Sequence, residues 1–440
     1  MLSKIPKYTK IGGKADEYIH ELVSKIVDEI RIRIPNVISI ILMGGFGRGE
    51  GIVEKKNNSF RPINDFDFYI ITNKVLDDEF LEKTAREISH KLGFGGVAHA
   101  EGFEKKRYNF RDYFHIDIRC LEERKLKNLP PLIRYYEMKK CGLVVYGKNS
   151  LKNFPDITTK DLTLSDGLRA FMNRMMLMLI SIKPEWIKNN SKMSEEEVMV
   201  LHYYLAKGLF TCVENLLLIS GDFEPTYWGR AEKFQKIYSR KFPEVAKKYP
   251  KLPQLVNEYL DYKKTMKIPK KDSIDAWFEV QDVMRYLFRV SLSFLTKKRA
   301  PENILEQYYF MKKELAYPYF KPYASFILKR YYMDNELFNW LLSRAAMSYL
   351  SLKYSYRMNY LHKTSKFKYV GLNDPGMRIL AIMPLIFFGI NKDGSHDTRL
   401  TNLAMKELKK VYSVKKVRTW EEAKTQYLIA QRSYFLMRFV

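Results

Sequence analysis

The stretch from Ile38 to Ile71 constrains this chain more than any other. It reads ISIILMGGFGRGEG, then a polar insert, then INDFDFYI. Val37 to Met43 is an apolar run rich in β-branched residues, the pattern of a strand covered on both faces. Gly44, Gly45, Gly47, Gly49 and Gly51 come directly after it. Glycine permits positive φ and lets the backbone approach a bulky anion closely. Arg48 lies among these glycines, and its fork of donors suits phosphate oxygens. A plain turn with an exposed arginine would have the same composition, so the loop takes its meaning from the acidic pair downstream of it.

Asp65 and Asp67 open the next apolar run, Phe66 to Ile71. A strand places residues i and i+2 on one face, so both carboxylates point one way and Phe66 and Phe68 the other. Like charges that close repel unless a cation lies between them. Mg²⁺ takes oxygen ligands and bridges readily to substrate phosphates. A two-metal site calls for a third carboxylate. The best candidate lies in the alternating stretch Tyr113 to Cys120, where Phe114, Ile116 and Ile118 face one side and His115, Asp117 and Arg119 the other. On a central strand Asp117 would be a costly unpaired charge that metal coordination relieves. The alternative is an edge strand presenting His115, Asp117 and Arg119 to solvent.

Gly44-Gly45 after a strand, Asp65-x-Asp67, and Asp117 on a later strand together resemble the nucleotidyltransferase superfamily related to DNA polymerase β. The resemblance covers roughly the first 150 residues. It implies an α+β fold in which a small mixed sheet is flanked by helices, two Mg²⁺ ions (Mn²⁺ being the other candidate), and transfer of a nucleoside monophosphate from an NTP, with ATP favoured. It further implies that Asp65 and Asp67 hold both metals, that Asp117 holds the catalytic one, and that Gly44 and Gly45 cradle the triphosphate with Arg48 nearby. Two departures stand out. The serine usual in the family's turn is Gly45 here, and Asp65 comes 20 residues after Gly45, more than the usual dozen. The polar stretch Glu54 to Pro62 accounts for the excess as a hairpin tip, where insertions are tolerated.

The rest of the chain reads as support and completion. Ala15 to Arg33 is an amphipathic helix, and Asp77-Asp78 caps a helix reaching Leu92. Val97 to Phe103 and Tyr108 to Leu121 suggest a hairpin whose second arm carries Asp117. From Leu162 onward the pattern is helical, which predicts a large all-α region. Met172, Met175, Met176 and Met178 form a stripe better suited to a core than to a binding surface. Glu195 to Ile219 predicts a long helix, and Lys207 and Glu214 share one of its faces. This helix, with Pro225-Thr226-Tyr227 after it, loosely resembles the helical domain of aminoglycoside-type adenylyltransferases. That likeness implies a helical domain walling the cleft, Lys207 as a phosphate contact and Glu214 as a base; solvated or inter-helix polar roles are the alternative for both. Tyr354 to Tyr360 interleaves aromatics with Arg357, a mixture found in base-stacking surfaces and, more often, in half-buried cores. The expected division is a catalytic domain over 1–152, a helical domain over 153–300 and a C-terminal helical region over 301–440.

Composition bounds the partners. The formal net charge of +26 suits an anionic substrate or nucleic acid and is unsuited to a polycationic acceptor such as an aminoglycoside. The expected acceptor is neutral or anionic, with RNA the leading anionic choice. Three scattered cysteines without a CxxC spacing argue against a disulfide framework or zinc site and for a reducing, cytoplasmic setting. Ile379 to Ile390 is short and contains Pro384, so no membrane span is expected. Nothing in the sequence fixes an oligomeric state. The alternatives to a general NTP-dependent transferase are an RNA- or tRNA-directed enzyme, a toxin-type enzyme, and a regulatory module that binds nucleotide without turnover.

Overall fold

The computed structural model describes residues 5–56, 59–94, 115–188, 193–327, 336–356 and 375–438. The expected first hairpin arm at 97–103, the start of its second arm at 108–114, and residues 357–360 of the aromatic–basic stretch lie outside them. The chain forms two compact units, one of residues 1–162 with 223–269, the other of 163–222 with 270–439. They are not the consecutive segments expected from the sequence, because residues 223–269 rejoin the N-terminal unit.

The first unit is α+β. Helix α1 (Lys14–Arg33) buries Ile19, Leu22, Val23, Ile26, Val27 and Ile30 along one stripe. Strand β1 (Ser39–Met43) leads into a single helical turn, α2 (Gly44–Gly47). A hairpin comes next, β2 (Val53–Lys56) with β3 (Ser59–Pro62), and it occupies the expected polar insert. Strand β4 (Phe66–Thr72) carries the second aspartate of the Asp-x-Asp pair, helix α3 (Asp78–Lys91) is capped by the Asp77 carboxylate, and β5 (Ile116–Glu122) carries Asp117. Helix α4 (Ile133–Cys141) and β6 (Leu143–Gly147) complete the segment.

The sheet order is β5-β4-β1-β6. Strands β4 and β6 run antiparallel to β1, and β5 runs parallel to β4, so the sheet is mixed. Among the described residues β5 is an outer strand, which corrects the expectation of a central position for Asp117. The apolar face of the sheet contributes Ile40, Leu42, Phe66, Phe68, Ile70, Ile116 and Ile118 to one core with α1 and α3. Each such side chain stabilises the fold by about 1.5–3 kcal/mol through burial. The opposite face carries Asp67, Asp117 and Arg119. From 223 onward the unit adds α8 (Tyr227–Lys241), α9 (Pro243–Lys248) and α10 (Leu252–Thr265).

The second unit is all helical among its described residues. Helix α5 (Leu164–Ile180) packs with α7 (Glu195–Ser220) and α11 (Ser273–Thr296). A capping box at Ser194 and Glu197 starts α7, and Gly221 at φ 72° ends it. Met172, Met175 and Met178 are buried, as the stripe suggested. Gly208 lets the helices close up, since a methyl built there would fall 2.7 Å from the Met178 sulfur and 3.0 Å from that of Met284. Helices α15 (Pro375–Phe387), α16 (Thr398–Leu408) and α17 (Trp420–Arg438) complete the unit. Among the described residues no helix is long and apolar enough to cross a membrane.

Candidate functional site

The site grows from the end of β1. Gly44 has φ +67°, and a methyl built on it would lie 1.9 Å from Asp67 Oδ2. Only glycine combines that backbone with that contact. Gly45 faces Asn64, with 3.0 Å from a built methyl to Asn64 Oδ1, and the same oxygen accepts from Ile52 N at 2.7 Å. The loop is therefore seated from both sides. Phe46 anchors it below: the ring is fully buried and stacks on Phe66 at 4.4 Å.

The parallel register sets Asp67 directly beside Asp117. Asp65 lies two residues before Asp67 on the approach to β4. Burial, then the neighbouring Asp117 and Asp65 carboxylates, push the Asp67 carboxyl up to about 7. Asp117 accepts from Arg119 Nε at 3.1 Å and Nη2 at 3.0 Å. Its charge is thus met by a cation two residues along the same strand face. Oxygen-only carboxylates suit Mg²⁺ or Mn²⁺ in kind. Among the described residues, however, no three His, Cys, Asp or Glu side chains are gathered into a group that could hold a metal ion.

Arg48 is engaged otherwise than the sequence suggested. Its Nη1 donates to Glu137 Oε2 at 2.8 Å, and its Nε lies 3.5 Å from Glu50 Oε2. Burial works against its charge, but Glu137, Tyr227, Glu50 and Asp67 outweigh this and hold the guanidinium well above its ordinary value. Glu50 is itself buried and accepts from the first amides of α8, Tyr227 N at 3.0 Å and Trp228 N at 3.1 Å. Arg230 pairs with the other oxygen of Glu137. Cations lie around the Tyr227 ring, Arg48 at 4.9 Å, Arg230 at 5.3 Å and the buried Lys263 at 4.6 Å.

Of the residues singled out from sequence, Gly44, Gly45, Arg48, Asp65, Asp67 and Asp117 meet at one end of the sheet. Lys207 and Glu214 belong to the second unit, where the Lys207 ammonium sits 4.3 Å from the Tyr203 ring and Glu214 is buried. Glu50, Glu137, Arg230 and Lys263 escaped the sequence reading. Their signal is weak in sequence, because Glu50 meets its partners 177 and 178 residues away.

The fold and site define the class: an α+β unit with a glycine turn closed over a carboxylate pair, joined to an all-helical unit. No family model matches the sequence, and no curated protein does. Among solved structures, a spectinomycin adenyltransferase from Enterococcus faecialis, crystallised with ATP and spectinomycin, is similar over 61% of this chain and 98% of its own, with 12% identity and a TM-score of 0.35. A likeness that slight has no bearing on what this chain binds or does.

Proposed function

We propose that the protein is a metal-dependent nucleotidyltransferase that moves a nucleoside monophosphate from an NTP, ATP first, to an acceptor hydroxyl and releases pyrophosphate. The observation that carries it is the placement of Asp67: beside Asp117 in register, under a glycine that admits no side chain, with its proton affinity raised first by burial and then by the Asp117 and Asp65 carboxylates. Asp65, Asp67 and Asp117 would hold the divalent ions, Mg²⁺ or Mn²⁺, and would have to draw closer together to do so, since as placed they do not form a metal-binding group. Such ions, when bound, would supply charge neutralisation at the phosphates and a lowered pKa for the attacking hydroxyl. The chain itself supplies the rest. Asp67 must shed its proton to act as a ligand, Asp117 must exchange Arg119 for the new partner, and Gly44 and Gly45 let the backbone close on the triphosphate. Arg48 lends a fixed positive charge from behind the loop.

The acceptor is neutral or anionic on this reading, since like charge would oppose a polycation. RNA-directed and toxin-type transfer are forms of the same chemistry. The Asp117–Arg119 pair favours one function of a different kind, a regulatory module that binds nucleotide without turnover. Labelled ATP, CTP, GTP and UTP with Mg²⁺, offered with tRNA, protein and small-molecule fractions, decide between them. Label passing to one fraction, abolished in Asp67→Asn, supports the enzyme. Saturable ATP binding with no transfer and no pyrophosphate in any fraction supports the module and removes the enzyme.

A further inference from the structure

The net charge is not spread evenly. Residues 233–251 hold Lys233, Lys236, Arg240, Lys241, Lys247, Lys248 and Lys251 against Glu244 alone. An even spread of +26 over 440 residues would leave about one net charge in a stretch this long. The stretch is the second half of α8, all of α9 and the turn into α10. Phe234, Ile237, Tyr238, Phe242 and Val245 face inward and are buried. The Tyr238 hydroxyl donates to Tyr249 O at 2.8 Å and lies 3.1 Å from Val245 O, tying α9 and the turn to α8. Every one of these cations except Lys233 is exposed along this basic ridge of two helices and a turn. Lys236 pairs with Glu232, but an exposed pair of that kind is worth under about 1 kcal/mol and yields readily to a better anion.

We infer that this ridge docks a single-stranded nucleic acid through its phosphates. A lipid surface would call for apolar side chains to insert beside the charges, and 233–251 exposes no large hydrophobic residue. An acidic protein would call for an apolar or aromatic centre inside the charged rim, and the ridge has none exposed. A run of exposed cations without such a centre matches a polyelectrolyte strand. The ridge belongs to the unit that carries Asp67 and Asp117. Docking stands apart from the carboxylate chemistry; that the docked strand is the acceptor rests on the function proposed above.

The test is binding of a labelled single-stranded RNA of about 20 nucleotides to the full chain across a salt series. Wild type should show a steep fall of affinity with salt. The variant Lys247→Gln/Lys248→Gln/Lys251→Gln should flatten the log–log slope by about 2, at roughly 0.7 per lost contact, and bind about tenfold or more weakly at low salt. A control, Lys406→Gln/Lys415→Gln/Lys416→Gln, removes three exposed cations from the second unit and should leave the slope nearly unchanged. All six side chains are exposed, so both variants should melt with wild type, and the melting temperatures verify that. A flat wild-type slope, equal loss in both variants, or equal competition by poly-glutamate or phosphatidylserine vesicles at matched charge would overturn the inference. Asp67→Asn should keep full RNA binding. RNA binding without label transfer would leave the ridge standing and remove the acceptor role, so the two failures are told apart.

Discussion

Two groups of carboxylates lie in the first unit, and they are provided for in opposite ways. Glu50 and Glu137 are buried, and cations and amides surround them: Arg48, Arg230 and the first amides of α8. Asp65, Asp67 and Asp117 have, among the described residues, one cation in hydrogen-bond contact, Arg119, and it serves Asp117. The first group holds the loop to the helices behind it. The second sets like charges side by side, and burial first, then that repulsion, raises the pKa of Asp67. Buried charge matched on site reads as architecture, whereas half-buried like charges gathered with a single arginine among them read as a place kept for something that arrives.

That contrast breaks most sharply at Asp67. Asp67→Asn should lower nucleotidyl transfer by a factor of about 10³ or more, on the order of 4 kcal/mol, while the fold survives. Label transfer and thermal melting measured side by side check both halves. The sign of the pH effect comes from the upward shift. A carboxyl raised in the folded state contributes stability that is fully present below the unfolded value near 4 and lost as pH rises through about 7. Wild type should therefore lose stability relative to Asp67→Asn between about pH 4 and 7, and the two should differ little below that window. Mg²⁺ should raise the melting temperature of wild type more at pH 8 than at pH 5, and should do little for the variant. An equal Mg²⁺ effect in both proteins would take Asp67 out of the metal site.

The balanced group should fail differently. Arg48→Met leaves Glu50 and Glu137 short of a cation in a buried setting and should cost about 3–5 kcal/mol of stability by denaturant titration. Loss of nucleotide affinity with stability intact would reverse the comparison and make Arg48 a phosphate ligand after all. Gly44→Ala places a methyl against Asp67 at positive φ and should cost about 1–3 kcal/mol, with a larger proportional loss in ATP affinity by calorimetry. Glu50→Gln keeps the shape of the α8 cap but removes its charge. It should cost about 1 kcal/mol and leave transfer within a few-fold of wild type.

Much of the candidate site was legible because its logic is local. Period-two alternation fixed the faces of β4 and β5, and the glycine cluster marked the end of β1. Long amphipathic patterns gave α1 and α7 to within about one residue at either end. What stayed hidden is long-range. Alternation says which face Asp117 takes, but not that β5 runs parallel to β4 at the outside of the described sheet. Glycine content says that Gly44 is free to turn, but not that Asp67 fills the space a side chain would need. An arginine among glycines looks like a phosphate ligand until Glu137, 89 residues on, is seen to hold it. Helical periodicity identified the region after Leu162 as helical without showing that α8 to α10 return to the first unit.

That return has a consequence for how the protein is made. The first unit is interrupted, and a ribosome completes residues 1–162 well before 223–269 appear. At about 5–20 residues per second, the delay is roughly 5–20 s. During that interval the sheet, the glycine turn and all three aspartates exist without the amides that satisfy Glu50 or the arginine that shares Glu137. The carboxylate end of the sheet thus becomes a finished surface only late in synthesis. A chain cut short at residue 222 would keep every aspartate of the candidate site and lack the helices that fix the loop above them.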